Sequence, residues 1–133
     1  MNMKIDRPAG LYLNEMFISW DMLVGQKLVV VTENSITKCF RRLFGTLVLP
    51  DGITSIGEKA FDGCENLTAI EIPQSVTCIG RMAFSWCYSL TDVVFEDNSK
   101  LQKISDHAFV NCNNLKNINI PDNVKIADNA FGN

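Results

Sequence analysis

The phrase Ile-x-x-x-Ala-Phe occurs four times, as Ile56–Phe61, Ile79–Phe84, Ile104–Phe109 and Ile126–Phe131. Its phenylalanines follow one another at steps of 23, 25 and 22 residues. Self-similarity at a period in the twenties means that one short unit is stacked on copies of itself. Such a unit cannot bury its apolar side alone, so each copy must lie against the next. Stacked units make long surfaces more readily than enclosed reaction centres, and this bounds function as well as fold.

The rest of the unit repeats too. A cysteine follows each of the first three phenylalanines (Cys64, Cys87, Cys112), and a leucine stands three residues later (Leu67, Leu90, Leu115). Then come the apolar runs Ile70-Glu-Ile72, Val93-Val-Phe95 and Ile118-Asn-Ile120, with Leu47-Val-Leu49 upstream and Phe44 in the leucine slot. Alternate side chains of such a run point inward, so residues 47–49, 70–72, 93–95 and 118–120 are expected as neighbouring parallel strands. Pro50, Pro73 and Pro121 close three of the runs and mark where the chain turns. In the third unit, Phe95-Glu-Asp-Asn-Ser-Lys-Leu101 replaces the proline segment with a longer, bulged loop.

These residues resemble the BspA-like class of leucine-rich repeats, with full units from about Leu47 to Leu115 and a partial one through Phe131. Repeat and resemblance together predict an α/β solenoid: a short right-handed superhelix of about four to five turns with one parallel sheet. Residues 1–27 are read as an N-terminal cap and 28–133 as the solenoid. The resemblance implies a non-catalytic module for protein–protein interaction, in adhesion or host-protein recognition. The alternative is a structural unit, self-assembling or truncated, with no ligand of its own.

Charge narrows the partners. The net charge of −3 and pI near 5.0, with basic residues scattered apart from Arg41-Arg42, argue against nucleic acid. No stretch reaches the ~20 apolar residues that span a bilayer; a protein is the partner that the resemblance implies. Asn14, Glu15 and Asp21 interrupt any apolar core of a signal peptide, which places the chain as written in the cytoplasm. The resemblance instead implies the cell surface or secretion.

No cofactor or metal is expected. Cys64, Cys87 and Cys112 share one slot and should form a column at about the strand spacing, ~5 Å. Thiols stacked in one direction do not converge as tetrahedral zinc ligands must, so they read as small buried hydrophobes without a disulfide. His107, the only histidine, occupies a slot that also takes Lys59, Met82 and Asn129, and reads as a surface residue. No phosphate loop or nucleophile elbow accompanies it, and no catalytic residue is assigned.

Upstream, Leu28–Val31, Ile36 and Cys39-Phe40 read as a shortened turn of the same unit. Ile36, Cys39, Phe40, Leu43 and Phe44 are spaced equally well for one apolar face of a helix capped at Asn34 or Ser35 and stopped at Gly45.

Three surfaces are candidates for partners. The outward sheet positions are Thr46, Val48, Ala69, Glu71, Asp92, Val94, Asn117 and Asn119, with Val29 extending the row. Trp86 and Tyr88 stand where other turns carry Gly63 or Asn111 and Glu65 or Asn113, and Val110 widens that aromatic edge. Glycine and asparagine at the first slot suggest positive φ, which tryptophan tolerates poorly. Finally, Ile118, Ile120, Val124, Ile126 and Phe131 lack a following unit in this sequence. That end is expected to be sticky and to pair in a homodimer through the C-terminal turn.

Overall fold

The computed structural model describes residues 7–132. The chain opens with a hairpin of β1 (Gly10–Leu13) and β2 (Met16–Ser19), a helix α1 (Trp20–Gly25), and a second hairpin of β3 (Val29–Thr32) and β4 (Ser35–Cys39). Long and short strands then alternate: β5 (Gly45–Val48), β6 (Ser55–Ile56), β7 (Leu67–Ile72), β8 (Cys78–Ile79), β9 (Asp92–Phe95) and β10 (Lys103–Ile104). The short strands β11 (Asn117–Ile118) and β12 (Lys125–Ile126) complete the order.

Each turn contributes one strand to each of two sheets. The first sheet runs β11-β9-β7-β5-β1-β2 and the second β12-β10-β8-β6-β4-β3. The four repeat strands β5, β7, β9 and β11 are parallel neighbours, as the apolar runs require, although β11 stops short of Ile120. A third ladder joins the turns at the repeated phrase, where the amides of Phe61, Phe84 and Phe109 each donate to the preceding alanine's carbonyl of the next turn at 2.7 Å.

The core lies between these walls. Leu47, Ile70, Ile72 and Val93 enter from the first sheet, and Ile36, Ile56, Ile79 and Ile104 from the second. Phe61, Phe84, Phe109 and Phe131 form one column of parallel rings, with centroids 4.9, 5.1 and 5.2 Å apart. The first three rings are buried and Phe131 is 43% exposed. The Cys87 and Cys112 thiols donate to the Phe61 and Phe84 carbonyls at 3.2 and 3.0 Å, which gives the cysteine slot a structural task.

Several expectations need correction. The solenoid has about four turns and two parallel sheets rather than one, and the six residues of α1 are its only α-helix among the described residues. It is therefore a β-solenoid rather than α/β. Residues 35–44 form no helix, because Ser35–Cys39 hydrogen-bonds as β4 and places Ile36 beside Ile56. Val29 does not extend the outward row. Glu33 and Asn34, at φ 51° and 66°, turn β3 back on β4, pairing a fully buried Val29 with Cys39. A bulge between Gly45 and Thr46 sets Gly45 opposite Leu67, so Leu43 is buried and Phe44 is 50% exposed. Val48 is only 1% exposed, although it lies outside the core cluster. Its cover comes from the outward side.

Candidate functional site

The outward rows follow the repeat alignment. Thr46, Ala69, Asp92 and Asn117 are register partners across four strands, as are Val48, Glu71 and Val94 across three. Asn117 donates through Nδ2 to Asp92 Oδ1 at 2.8 Å, tying the last two strands on this face. Beyond β9, the loop that replaces the proline segment turns at Asn98 (φ 61°) and overhangs Val94. With Asn117 and Asn119 it encloses a groove of about 430 Å³.

The N-terminal half of this face is already covered. The Arg7 guanidinium lies 4.4 Å from the centroid of the Tyr12 ring on β1 and forks onto both carboxylate oxygens of Glu71 on β7. Because β1 and β7 flank β5, Arg7 spans the strand that carries Val48. Sequence reasoning missed Arg7. An arginine with no place in the repeat carries no local sign of which carboxylate it will meet.

The aromatic edge forms as a unit. Trp86 and Tyr88 meet edge to face, with ring centroids 5.6 Å apart and planes at 75°. The Trp86 amide donates to the Val110 carbonyl at 2.9 Å, so half-buried Val110 lies beside it one turn on. Trp86 has φ 61° and Asn111, its equivalent, has the same value, while Gly63 has φ 74°. The slot is left-handed in all three turns. Tryptophan in it nevertheless leaves 44% of its surface exposed.

Phe40 and Phe44, 46% and 50% exposed, stand two turns below this edge. A Cβ on Gly63 would come within 3.4 Å of Arg41 Nε, so Arg41 lies over the slot that Trp86 fills in the next turn. The apolar spacing of Phe40 and Phe44 predicts a buried face, whereas the adjacent Arg41-Arg42 pair matches the solvent exposure of this stretch.

The thiol column includes a fourth member, Cys39. The Cys64 thiol beside it, and burial, push the Cys39 thiol well above its ordinary range. Cys112 acts likewise on buried Cys87, while its own thiol is lowered by the hydrogen bond from Cys87. All five cysteines are free thiols. His107 is half-buried at φ 56°, and Lys59 and Met82 share that left-handed geometry at 58° and 56°. At the far end, Ile118, Ile120 and Val124 are partly covered, whereas Ile126 is 40% exposed beside Phe131.

The sequence pattern of the BspA type leucine rich repeat region matches residues 33–133 in six copies. The chain belongs to that family. A leucine-rich repeat protein from Bacteroides capillosus is 31% identical with a TM-score of 0.62, the match covering 78% of this chain and 94% of that one. A leucine rich cell surface protein from Faecalibacterium prausnitzii is 30% identical with a TM-score of 0.58, over 68% of this chain and 27% of its own length. The T. pallidum leucine rich repeat protein is 32% identical at a TM-score of 0.56, over 65% and 44% of the two chains. No protein of curated function matches significantly. Leucine-rich repeats of this type are interaction modules, typically non-catalytic, and no described helix of this one is long and apolar enough to cross a membrane.

Proposed function

We propose that this BspA-type repeat is a non-catalytic protein-recognition module that engages its partner through the ridge of Trp86 and Tyr88, flanked by Val110. One observation carries the reading: an exposed tryptophan is held at φ 61° where neighbouring turns use glycine or asparagine. Left-handed backbone costs an ordinary residue roughly 1–2 kcal/mol, and the tryptophan held there still leaves 44% of its surface to solvent. Large aromatic side chains on a surface are the usual anchors of interfaces.

The test is capture of the partner on immobilised protein, wild type against Trp86→Asn. Asparagine suits the slot, as Asn111 illustrates, so the variant should fold with unchanged or slightly higher stability. A protein retained by wild type and lost by Trp86→Asn supports the ridge. Equal retention by both would remove it. Residues 1–27 serve as the cap of the stack in this reading. Adhesion or host-protein recognition at a cell surface is its finer form, suggested by the cell surface protein of Faecalibacterium prausnitzii.

A second reading, self-association through the last turn, is favoured by the exposure of Ile126 and Phe131 beside the outer strands β11 and β12. The two readings use different surfaces and can both hold.

A further inference from the structure

We infer that the outward row of the first sheet is a guanidinium-recognition site, held shut by the chain's own Arg7, and that it takes an extended peptide presenting an arginine. This rests on the protein-recognition reading but not on the aromatic ridge.

The ligand chemistry is visible in the chain itself. The guanidinium of Arg7 is a planar cation with one face toward the Tyr12 ring and its edge forked onto Glu71. That combination selects arginine over lysine, because an ammonium is a point charge and can neither fork nor stack in the same way. The receiving side is built into the solenoid. Tyr12 is fixed by the pairing of β1 with β5, where it lies opposite Thr46, and Glu71 by the pairing of β7 with β5, where it lies opposite Val48. The Glu71 side chain is 18% exposed, whereas that of Arg7 is 41% exposed. The plug is the looser half of the pair, and a pair so open to water is a weak tie that a competing arginine can replace.

There is also a path for the rest of a peptide. A groove of about 470 Å³ runs beside Arg7, bounded by Ala9, Pro50, Asp51 and Glu96. Glu96, whose Oε1 accepts from the Gln74 amide at 3.0 Å, also borders the 430 Å³ groove over Val94. Apart from Arg7, the charged groups lining both grooves are Asp51, Glu96 and Asp97, all acidic. A cationic chain is therefore complementary to either groove, with Val94 available to an apolar side chain in the second.

The probe is acetyl-Arg-Pro-Ala-Gly-amide, which copies residues 7–10, titrated into full-length protein and followed by amide and side-chain NMR shifts. In Arg7→Ala it should perturb Tyr12, Val48 and Glu71 in a saturable way. Wild type should bind it about tenfold more weakly, because the resident arginine must first leave. The lysine version of the peptide should bind Arg7→Ala about tenfold more weakly than the arginine version. Arg7→Ala/Glu71→Gln should lose the response while keeping the dispersed spectrum of folded protein. Three outcomes would each overturn the proposal: no saturable shifts in Arg7→Ala at millimolar peptide, equal affinity in wild type, or shifts that avoid Tyr12 and Glu71. Any of these would leave the Trp86→Asn comparison standing, so the two failures are distinguishable.

Discussion

Within one turn, position in the stack decides what a side chain is worth. Phe84 is sandwiched between Phe61 and Phe109 with no exposed surface, so Phe84→Ala should cost on the order of 3–5 kcal/mol in chemical denaturation. Phe131 has the same phrase but one stacking neighbour and 43% exposure, and its alanine variant should cost about 1 kcal/mol. Equal losses at the two sites would contradict the core described above. The thiol column predicts a pH effect. Cys39 and Cys87 stay protonated in the fold well above the ordinary thiol value of 9.0, because a neighbouring thiol and burial disfavour the thiolate. Once unfolded they ionise near that value, so their contribution is complete below pH 9 and is lost as pH rises beyond it. Cys112, with its lowered thiol, contributes in the opposite sense: its part is complete above pH 9 and is lost as pH falls below it. The net expectation is alkaline destabilisation of about 1.4 kcal/mol per pH unit for each buried thiol, measured in reductant. A flat stability curve from pH 8.5 to 10.5 would refute it.

Secondary-structure elements show a second division. The long strands were legible because Ile70-Glu-Ile72 and its equivalents alternate inward and outward, and because proline stops them. The second sheet was not. The strands it takes from the repeats, β6, β8, β10 and β12, are two residues long with one isoleucine each, and no alternation can develop over that length. Their hydrogen bonds arise only when turn stacks on turn. Helix α1 was missed for a related reason: six residues present too little periodicity, although Ser19 accepts from the Met22 amide and Asp21 favours the first turn. Attachment of the N-terminal hairpin to the solenoid depends on Gly45. Its φ is 102°, and a Cβ there would sit 2.2 Å from the Tyr12 carbonyl oxygen. Gly45→Ala should lower stability by about 2 kcal/mol or more and speed amide exchange at Leu11 and Tyr12. Unchanged exchange at those amides would mean that β1 is held by something other than its pairing with β5.

For the molecule as a whole, the exposed end of the stack is the main liability. Ile126 and Phe131 present core-type side chains beside the outer strands of both sheets. Such surfaces favour association, since they offer both apolar area and unpaired backbone groups. The 133-residue chain is expected to sediment as a dimer at micromolar concentration, and Phe131→Glu should return it to a monomer. A monomeric parent chain would dispose of the self-association reading and leave the ridge as the sole interaction surface proposed from exposure.

What the sequence determined by itself was everything that translation along the stack can copy: the period, the parallel long strands, the phenylalanine column, and the register of Thr46, Ala69, Asp92 and Asn117. Equivalent residues in successive units must occupy equivalent places, so a local phrase carries long-range information. The left-handed slot at Trp86 was legible by the same logic, because glycine and asparagine held it in other turns. Only the tertiary structure decided the contacts between the stack and the residues outside the repeat. Val29 was drawn into the second sheet by a hairpin turn without glycine, Phe44 was turned outward by a bulge, and Glu71 was met by Arg7, a residue outside the repeat. Each of these depends on one non-repeated partner meeting another far along the chain, and no periodicity records such a meeting.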